Sequence, residues 1–424
     1  MRTTLLALTL ALISTAHAHT QSAFGFATFP PSPAANGRGG IFLGPEDADP
    51  YAAWSNPGLL GLIAKTQHAS ASFYPKRTLW LPGWETESFR MDYSVRALFF
   101  SLADNSCSAN CQRLPVGFSY NEQHFSYGEL SIYNSQGEVV GTSSDEYEVA
   151  RGFHVGTASQ NRFWRFGGGL GFTHLYGHYP RVEESEIKYR NYAGFGLDAG
   201  LWLDNDAVES ASTLLKISIP RSLVVRPSVG CSVANLGQSV KYEGGSYDSP
   251  LPRTARVSMG LSAAYEIDLR DGLPWRVGAI DVMSTAEDEL IQPNGDNDYS
   301  YEFPPGDINP FRDVLFGQRN DQLIQRHGFQ LSALEIVTWS TGSFQFDSRQ
   351  SYTVKTEGWG LSLHGLVRLT VTKSMGKHLN WFAQHMDVRY YESVESVKPR
   401  SDLWYDSHPR DGTTYKGVVI SYLR

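Results

Sequence analysis

The stretch RFWRFGGGLGFTHLYG, Arg162 to Gly177, sorts its residues by parity. Trp164, Phe166, Leu170, Phe172 and Tyr176 fall on one side of an extended chain. Arg165, Gly167, Gly169, Gly171 and Thr173 fall on the other. A strand sends successive side chains to opposite faces, so one face of a sheet receives the aromatics and the other the glycines. The pattern recurs. Phe89, Met91, Tyr93, Val95, Ala97 and Phe99 oppose Arg90, Asp92, Ser94 and Arg96. Ala193, Phe195, Leu197, Ala199, Leu201 and Leu203 oppose Gly194, Gly196, Asp198, Gly200 and Asp204. Val257, Met259, Leu261, Ala263 and Tyr265 oppose Arg256, Ser258, Gly260, Ser262 and Glu266. Trp359, Leu361, Leu363, Val367 and Leu369 oppose Gly360, Ser362, His364, Arg368 and Thr370. Each run is about twice the usual strand of ~5–6 residues.

Weaker strand candidates lie between these runs, among them Phe125–Tyr133, Glu148–Ala158, Leu223–Asn235 and Phe382–Tyr390, separated by turn-rich pieces such as NSQGE and YEGGSYDSP. No amphipathic helical pattern of any length follows residue 60, and there is no fixed-period repeat or interdomain linker. The sequence reads as one all-β domain behind a short N-terminal segment.

Long half-apolar strands fit two environments. In a secreted sandwich or propeller the apolar face is a core; in an outer-membrane barrel it meets lipid, and the polar, glycine-rich face lines the lumen. Strand length favours the barrel, because spanning takes ~9–11 tilted residues. An arginine at the bilayer midplane costs ~2–4 kcal/mol. The face shared by Arg90, Asp92 and Arg96 is therefore expected to be the lumen. Arg165, Asp198, Arg226, Arg256, Glu266, His364 and Arg368 are expected there too, in polar networks. Arg151 departs from the pattern, falling on the apolar side of its run.

Composition supports this. Aromatics make up 13% and charged residues 19%, which argues against disorder, and the net charge of −8 gives no reason to expect nucleic acid. Arg2, the apolar run Leu5–Ile13 and the Ala16-His17-Ala18 site read as a signal peptide over residues 1–18. After it no run of ~18 apolar residues occurs, so no transmembrane helix is expected. Export makes a disulfide between Cys107 and Cys111 the expected state of the CSANC loop, with two free thiols the alternative. Cys231 shares parity with Val229 and Val233 and reads as a small apolar filler.

Ahead of the first strand stands GRGGIFLGPEDADPYAAWSNPGLLG, Gly37 to Gly61. Pro50 can open a short helix, and Asn56-Pro57-Gly58 can turn the chain into the barrel. The segment resembles the N-terminal signature of the FadL superfamily of bacterial outer-membrane barrels, in which an acidic, alanine-rich piece runs into Asn-Pro-Ala; here Gly58 stands in place of the alanine. FSYGELSIYNSQGEVVGTSSDEYEVARGFHVG, GFGLDAGLWL with Asp198 and Gly200, Asn235-Leu236-Gly237, Leu251-Pro252 and EGWGLSLHGLVRL resemble the PorV/PorQ branch. Two features depart from that branch: the chain closes on Tyr422-Leu423-Arg424, and the segment Ser284–Asn320 is long for it. The resemblance implies a transmembrane antiparallel barrel of about 14 strands in the bacterial outer membrane, with residues 19–65 as a lumen plug and 66–424 as the barrel. It implies Asp49, Asn56, Pro57 and Gly58 as the plug and turn motif.

Other clusters carry less. The acidic segment Ser284–Asp313 reads as a long loop for partner contact or solvent cover, without the glycine and terminal glutamate of an EF-hand. His174 and His178 lie ~13 Å apart on a strand, too far for one zinc. Ser362 with His364, and His385 with Asp387 and Arg389, lack a third catalytic partner or an oxyanion site, so no enzyme chemistry, metal or cofactor is expected. Three functions follow. One is a docking or shuttle component of type IX secretion, with secreted cargo or secretion-system components as partners. Another is a transporter of hydrophobic small molecules, and the last a structural barrel. Outer-membrane lipid is a partner in all three.

Overall fold

A computed structural model describes residues 22–42, 44, 49–84, 91–102, 114–128, 130–133, 139–143, 146–183, 186–215, 222–241, 248–268, 274–293, 299–318, 320, 322–346, 352–370, 377–397 and 410–423. The signal-peptide reading, Arg90, Cys107 and Cys111 all lie outside them.

Fourteen strands form the wall. They are β1 (Gln67–Phe73), β2 (Met91–Ser101), β3 (Val116–Ser126), β4 (Tyr147–Gln160), β5 (Trp164–Glu183), β6 (Glu186–Asn205) and β7 (Leu223–Gly237). Then follow β8 (Thr254–Asp268), β9 (Pro274–Glu289), β10 (Ile324–Ala333), β11 (Val337–Phe346), β12 (Tyr352–Ser362), β13 (Met386–Val397) and β14 (Thr414–Leu423). Neighbours pair antiparallel in chain order, and β1 bonds to β14 on one side and β2 on the other, which closes the barrel. A bulge interrupts β1: Phe73 faces Arg96, and the short strand Thr78–Trp80 resumes along β2 with Thr78 opposite Tyr93.

Closure satisfies the wall's backbone without an edge, the condition for strands to cross lipid. The outer face is apolar, carrying Leu98, Phe100, Phe153, Phe166, Leu170, Phe172, Phe195, Leu197, Leu261, Ile280, Trp339 and Trp359 as exposed residues. Among the described residues no helix is long and apolar enough to cross a membrane. The protein is an outer-membrane β-barrel. The start of β1 and the end of β14 share one end with the tight turns at 161–163 and 334–336. The hairpins Leu130–Tyr133/Val139–Ser143 and Ile291–Pro293/Tyr299–Tyr301 gather at the other. Short turns face the periplasm and long loops the exterior in such barrels, which orients this one.

Three elements correct the expectation of no helices after residue 60: α4 (Ala207–Leu215), α5 (Leu363–Thr370) and α6 (Lys377–His385), numbered after the helices α1 (Pro33–Asn36), α2 (Ala52–Ser55) and α3 (Leu59–Ile63). The late glycine-alternating run ends as a strand at Ser362. Beyond it Leu363, Leu366 and Leu369 recur every three residues, a helical stripe that period-two counting partly mimics. Likewise Phe382 lies in α6, whose Trp381 and His385 pack on Tyr422 of β14. The acidic segment begins as the end of β9. It later forms a π-helical turn, Pro310–Leu315, whose Val314 clusters with Ala255 and Ala286 against the outer side of β8 and β9.

The hydrophobic core lies inside the barrel. Phe24, Phe26, Tyr51, Leu59, Leu60 and Ile63 of the N-terminal segment cluster with wall residues Tyr93, Phe99, Phe125, Leu175, Tyr192 and Trp202. This corrects the face assigned to β2. Met91, Tyr93, Val95, Ala97 and Phe99 are buried against the plug, while Arg96 points outward beside exposed Leu98 and Phe100, with Asp92 on its parity. The inference that charge marks the lumen assumed a wet interior. Where the plug supplies an apolar surface, the wall facing it is apolar too.

Candidate functional site: the seat of the plug

The glycines of the opening stretch meet the plug. A Cβ on Gly167 would stand 2.1 Å from the Gly58 carbonyl oxygen, and one on Gly169 2.3 Å from that of Pro57. Gly156 of β4 is as close to the Pro57 oxygen, at 2.5 Å, and Gly200 of β6 meets Asn56 Oδ1 at 2.2 Å. Three strands thus floor a saddle with bare backbone, and only glycine lets the Asn56-Pro57-Gly58 turn sit so close.

Polar groups fix the turn there. Asn56 Oδ1 accepts from Gly58 N–H at 2.9 Å, and its amide donates to the carbonyls of Leu201 and Cys231 at 2.8 and 3.3 Å. The Ser232 hydroxyl donates to the Ser55 carbonyl at 2.6 Å. Arg256 places its guanidinium 4.4 Å from the centre of the Trp54 ring. Beside the turn is a small enclosed gap bounded by Phe42, Trp54, Leu59 and Trp202 on one side and Arg256, Glu287 and Arg326 on the other.

Glu287 is buried between two arginines, Arg256 Nε at 3.2 Å and Arg326 Nε at 3.3 Å. Arg326 also donates to the Gly39 carbonyl at 3.2 Å. Gly39 and Gly40 have φ of 76° and 81°, and they turn the plug against the wall, where Gly39 N–H donates to Thr356 Oγ1 at 2.8 Å. Arg38 donates to Gln330 Oε1 and, at 2.8 Å, to the Ile41 carbonyl. Apolar contact thus dominates where the plug meets β2–β5, Asn56 and Ser232 tie its turn to β6 and β7, and charged and polar bonds hold it along β8–β12.

Asp49 joins the two halves of the plug. Its carboxylate accepts from Tyr51 N–H at 2.8 Å and from the Ser32 hydroxyl, which itself caps α1 by accepting from Ala35 N–H at 3.1 Å. Complete burial raises its pKa from 3.8 to about 6, against the opposing pull of those bonds and of Arg38.

The remaining predicted positions divide. Arg165 binds Asp204 at 2.6 and 3.0 Å on the lumen side. Asp198 is buried there, accepting from Thr173 Oγ1 at 2.7 Å and Asn235 N–H at 2.7 Å, with His154 Nε2 at 3.0 Å. Glu266 lies 3.5 Å from Arg276, and Arg226 keeps lumen parity opposite Ser262. Two placements differ from expectation. His364 and Arg368 belong to α5 rather than a wall strand, and Arg368 pairs with Glu335 of the β10–β11 turn at 3.2 Å. Among the described residues no group of three or more His, Cys, Asp or Glu is placed to hold a metal. Sequence reasoning missed Glu287, Arg326, Arg38 and His154. Glu287 and Arg326 carried a signal, since each shares its strand's lumen parity.

No family model matches this chain, and no curated protein matches it in sequence. Solved structures match in shape. The Pseudomonas putida toluene transporter TodX is 8% identical, with 92% of this chain and 96% of that one covered at a TM-score of 0.43. The CymD monoaromatic hydrocarbon channel is 9% identical over 95% and 98%, at 0.42. A Pseudomonas aeruginosa FadL homologue is 10% identical over 92% and 96%, at 0.39. At these levels the likeness adds nothing to the barrel already described.

Proposed function

We propose that this barrel passes small hydrophobic molecules across the outer membrane along a lumen path opened by a shift of its plug. The supporting observation is the division of the lumen. An apolar cluster runs from Phe24, Phe26, Phe125 and Tyr192 towards the exterior down to Leu59, Leu60 and Ile63 of α3 near the periplasm. The buried polar groups of that wall, such as Gln123, Glu148 and Asp198, bond to other wall groups. An apolar solute above the Asn56 turn can therefore replace plug–wall contacts at little polar cost, whereas an ion or sugar would leave desolvated groups unpaired. The polar bonds on the opposite wall would meanwhile anchor the plug.

The test is uptake of a radiolabelled aromatic hydrocarbon by cells carrying the full chain. Lys65 Nζ donates to Gln160 Oε1 at 2.8 Å, joining the plug's end to β4. A Lys65→Cys/Gln160→Cys pair bridged by a short cleavable bis-thiol reagent should reduce uptake to background, and cleavage of the bridge should restore it. Unchanged uptake in the bridged protein refutes a moving plug.

The docking reading draws on a different feature. Phe303, Phe311, Leu315 and Phe316, on the loop between β9 and β10, are all strongly exposed, and such apolar surface is a common mark of protein contact. Co-purification of a large secreted protein, lost on replacing these residues with serine, would support it. Recovery of the barrel with hydrophobic solute but no protein would count against it.

A further inference from the structure

We propose that the outward cluster Arg96, Glu122 and Arg151 binds a phosphate group of a phosphorylated glycolipid in the outer leaflet. The site is on the outside of the barrel and is independent of the passage proposed above. Arg96 of β2, Glu122 of β3 and Arg151 of β4 are direct cross-strand partners in one row. Arg96 Nη2 lies 2.7 Å from Glu122 Oε1, and Arg151 Nε lies 2.9 Å from Glu122 Oε2. Tyr120 adds a hydroxyl donor to Glu122 Oε2 at 2.8 Å. The carboxylate is nearly covered, at 11% exposure, but the two arginine side chains are 68% and 44% exposed. One carboxylate cannot neutralise two guanidiniums, each with five donors. The cluster keeps a net positive charge and unused N–H groups beside the exposed apolar residues Leu98, Phe100 and Phe153.

The surroundings are graded as an amphiphile is. On the periplasmic side of the row the same strands expose Leu98, Phe100, Phe153 and Val155, a bed for acyl chains. On the exterior side stand stacked rings, His124 on Tyr147 at 5.5 Å and Tyr147 on His178 at 5.5 Å. The Tyr176 hydroxyl there donates to Asn191 Oδ1 at 2.8 Å, the kind of ledge that hydroxyl-rich sugars pack against. Exposed Lys76 and Arg77, in the bulge that follows β1, add positive charge beside β2, with Asp92 the acidic counterweight on that strand. A guanidinium pair forks onto phosphate oxygens with good geometry. The row crosses the middle of its strands, but the outward side chains change there from apolar (Leu98, Phe100, Phe153) to polar and aromatic (Ser94, Asp92, His124, Tyr147). It therefore marks the exterior edge of the apolar band, and the lipid in reach is that of the outer leaflet.

The experiment compares the full-length barrel with R96Q/R151Q, with E122Q and with K416Q, whose lysine pairs with Glu392 on another part of the outer face at 3.0 Å. Each is purified from outer membranes in mild detergent, checked for the heat-dependent gel shift of a folded barrel, and weighed by native mass spectrometry for bound glycolipid. Each is then challenged with vesicles containing bisphosphorylated lipid A, dephosphorylated lipid A or phosphatidylglycerol. R96Q/R151Q should retain at least tenfold less bisphosphorylated lipid A, K416Q should match the parent, and E122Q should retain as much or more. Equal retention by R96Q/R151Q, or equal binding of the dephosphorylated form, overturns the proposal. Equal preference for phosphatidylglycerol overturns the glycolipid assignment. A co-purifying protein lost in R96Q/R151Q with lipid unchanged would make the face a protein interface and also overturn it.

Discussion

Replacing Gly167 with alanine tests the plug's seat, with a control one residue away. The added methyl would start 2.1 Å from the Gly58 oxygen, about 1.2 Å short of the ~3.3 Å of an ordinary C···O contact. The protein can absorb this in two ways. It can hold the turn in place and take the strain, ~1–3 kcal/mol for overpacking of this kind. Alternatively, it can let the turn withdraw, which breaks the bonds from Asn56 to Leu201 and Cys231 and from Ser232 to Ser55. At ~0.5–1.5 kcal/mol each, those three sum to ~1.5–4.5 kcal/mol. Both routes arrive near 2–3 kcal/mol, and in a chain this long that is a drop of roughly 2–3 °C in the unfolding midpoint. Gly168 faces the other way, and a methyl there would meet nothing nearer than a Leu201 side-chain carbon at 3.5 Å. Gly168→Ala should therefore equal or exceed the parent, because alanine in a strand avoids glycine's entropy cost of ~0.5–1 kcal/mol. The assay is the heat-dependent gel shift of the folded barrel at a fixed heating rate, with protease cleavage of the N-terminal segment as a second readout. Equal midpoints for Gly167→Ala and Gly168→Ala would refute the seat.

Other consequences can be checked in the same format. Asn56→Ala removes two bonds to the wall and the turn's own bond to Gly58 N–H, so a loss of ~1–3 kcal/mol and faster plug cleavage are expected. Arg256→Ala leaves Glu287 with one partner in a buried site, and ~3–5 kcal/mol of destabilisation should appear as a lower midpoint. Asp49 has its folded pKa raised to about 6 from 3.8, so the folded state holds the extra proton between those values. Its contribution is therefore most favourable below pH ~4, falls as pH rises to about 6 and is flat above. Asp49→Asn should flatten midpoint against pH across that window, and an unchanged slope would show that another group titrates there.

Much of the wall was legible because parity is a local property. Trp164 through Phe172 and Phe195 through Leu203 alternate without a break, and each residue's side of the sheet follows from counting. The plug's turn could be read from Asn56-Pro57-Gly58, a short signal with few conformational solutions. What could not be read was pairing across long separations. Nothing near Gly39 in sequence announces Thr356, and nothing near Trp54 announces Arg256. The helices after β12 were hidden for another reason: Leu361, Leu363 and Leu369 satisfy period two, while Leu363, Leu366 and Leu369 satisfy a period near three. Eight residues cannot separate the two.

The reversal on β2 shows what parity leaves undecided. Alternation says that a strand has two unlike faces, but it does not say which environment each one meets. In β6 and β8 the polar face turns inward, towards buried Asp198 and Arg256. In β2 the apolar face turns inward, because Tyr93, Val95 and Phe99 meet Leu59, Leu60 and their neighbours in the plug. Membrane thickness alone would not permit the exchange, since it sends Arg96 toward lipid. It is tolerable because Glu122 lies directly across the ladder and because the outward residues on the exterior side of the row, among them Asp92 and His124, are already polar, the boundary at which the cost of charge falls to ~0–1 kcal/mol. The apolar plug and the outward arginine pair are thus two results of one choice of face. A plug variant made polar along α3 would remove the reason for that choice, so Leu60→Gln should weaken the barrel more than the loss of one leucine's burial, ~1.5–3 kcal/mol, accounts for. A cost within that range would mean that the face of β2 is set by the wall itself and not by what fills it.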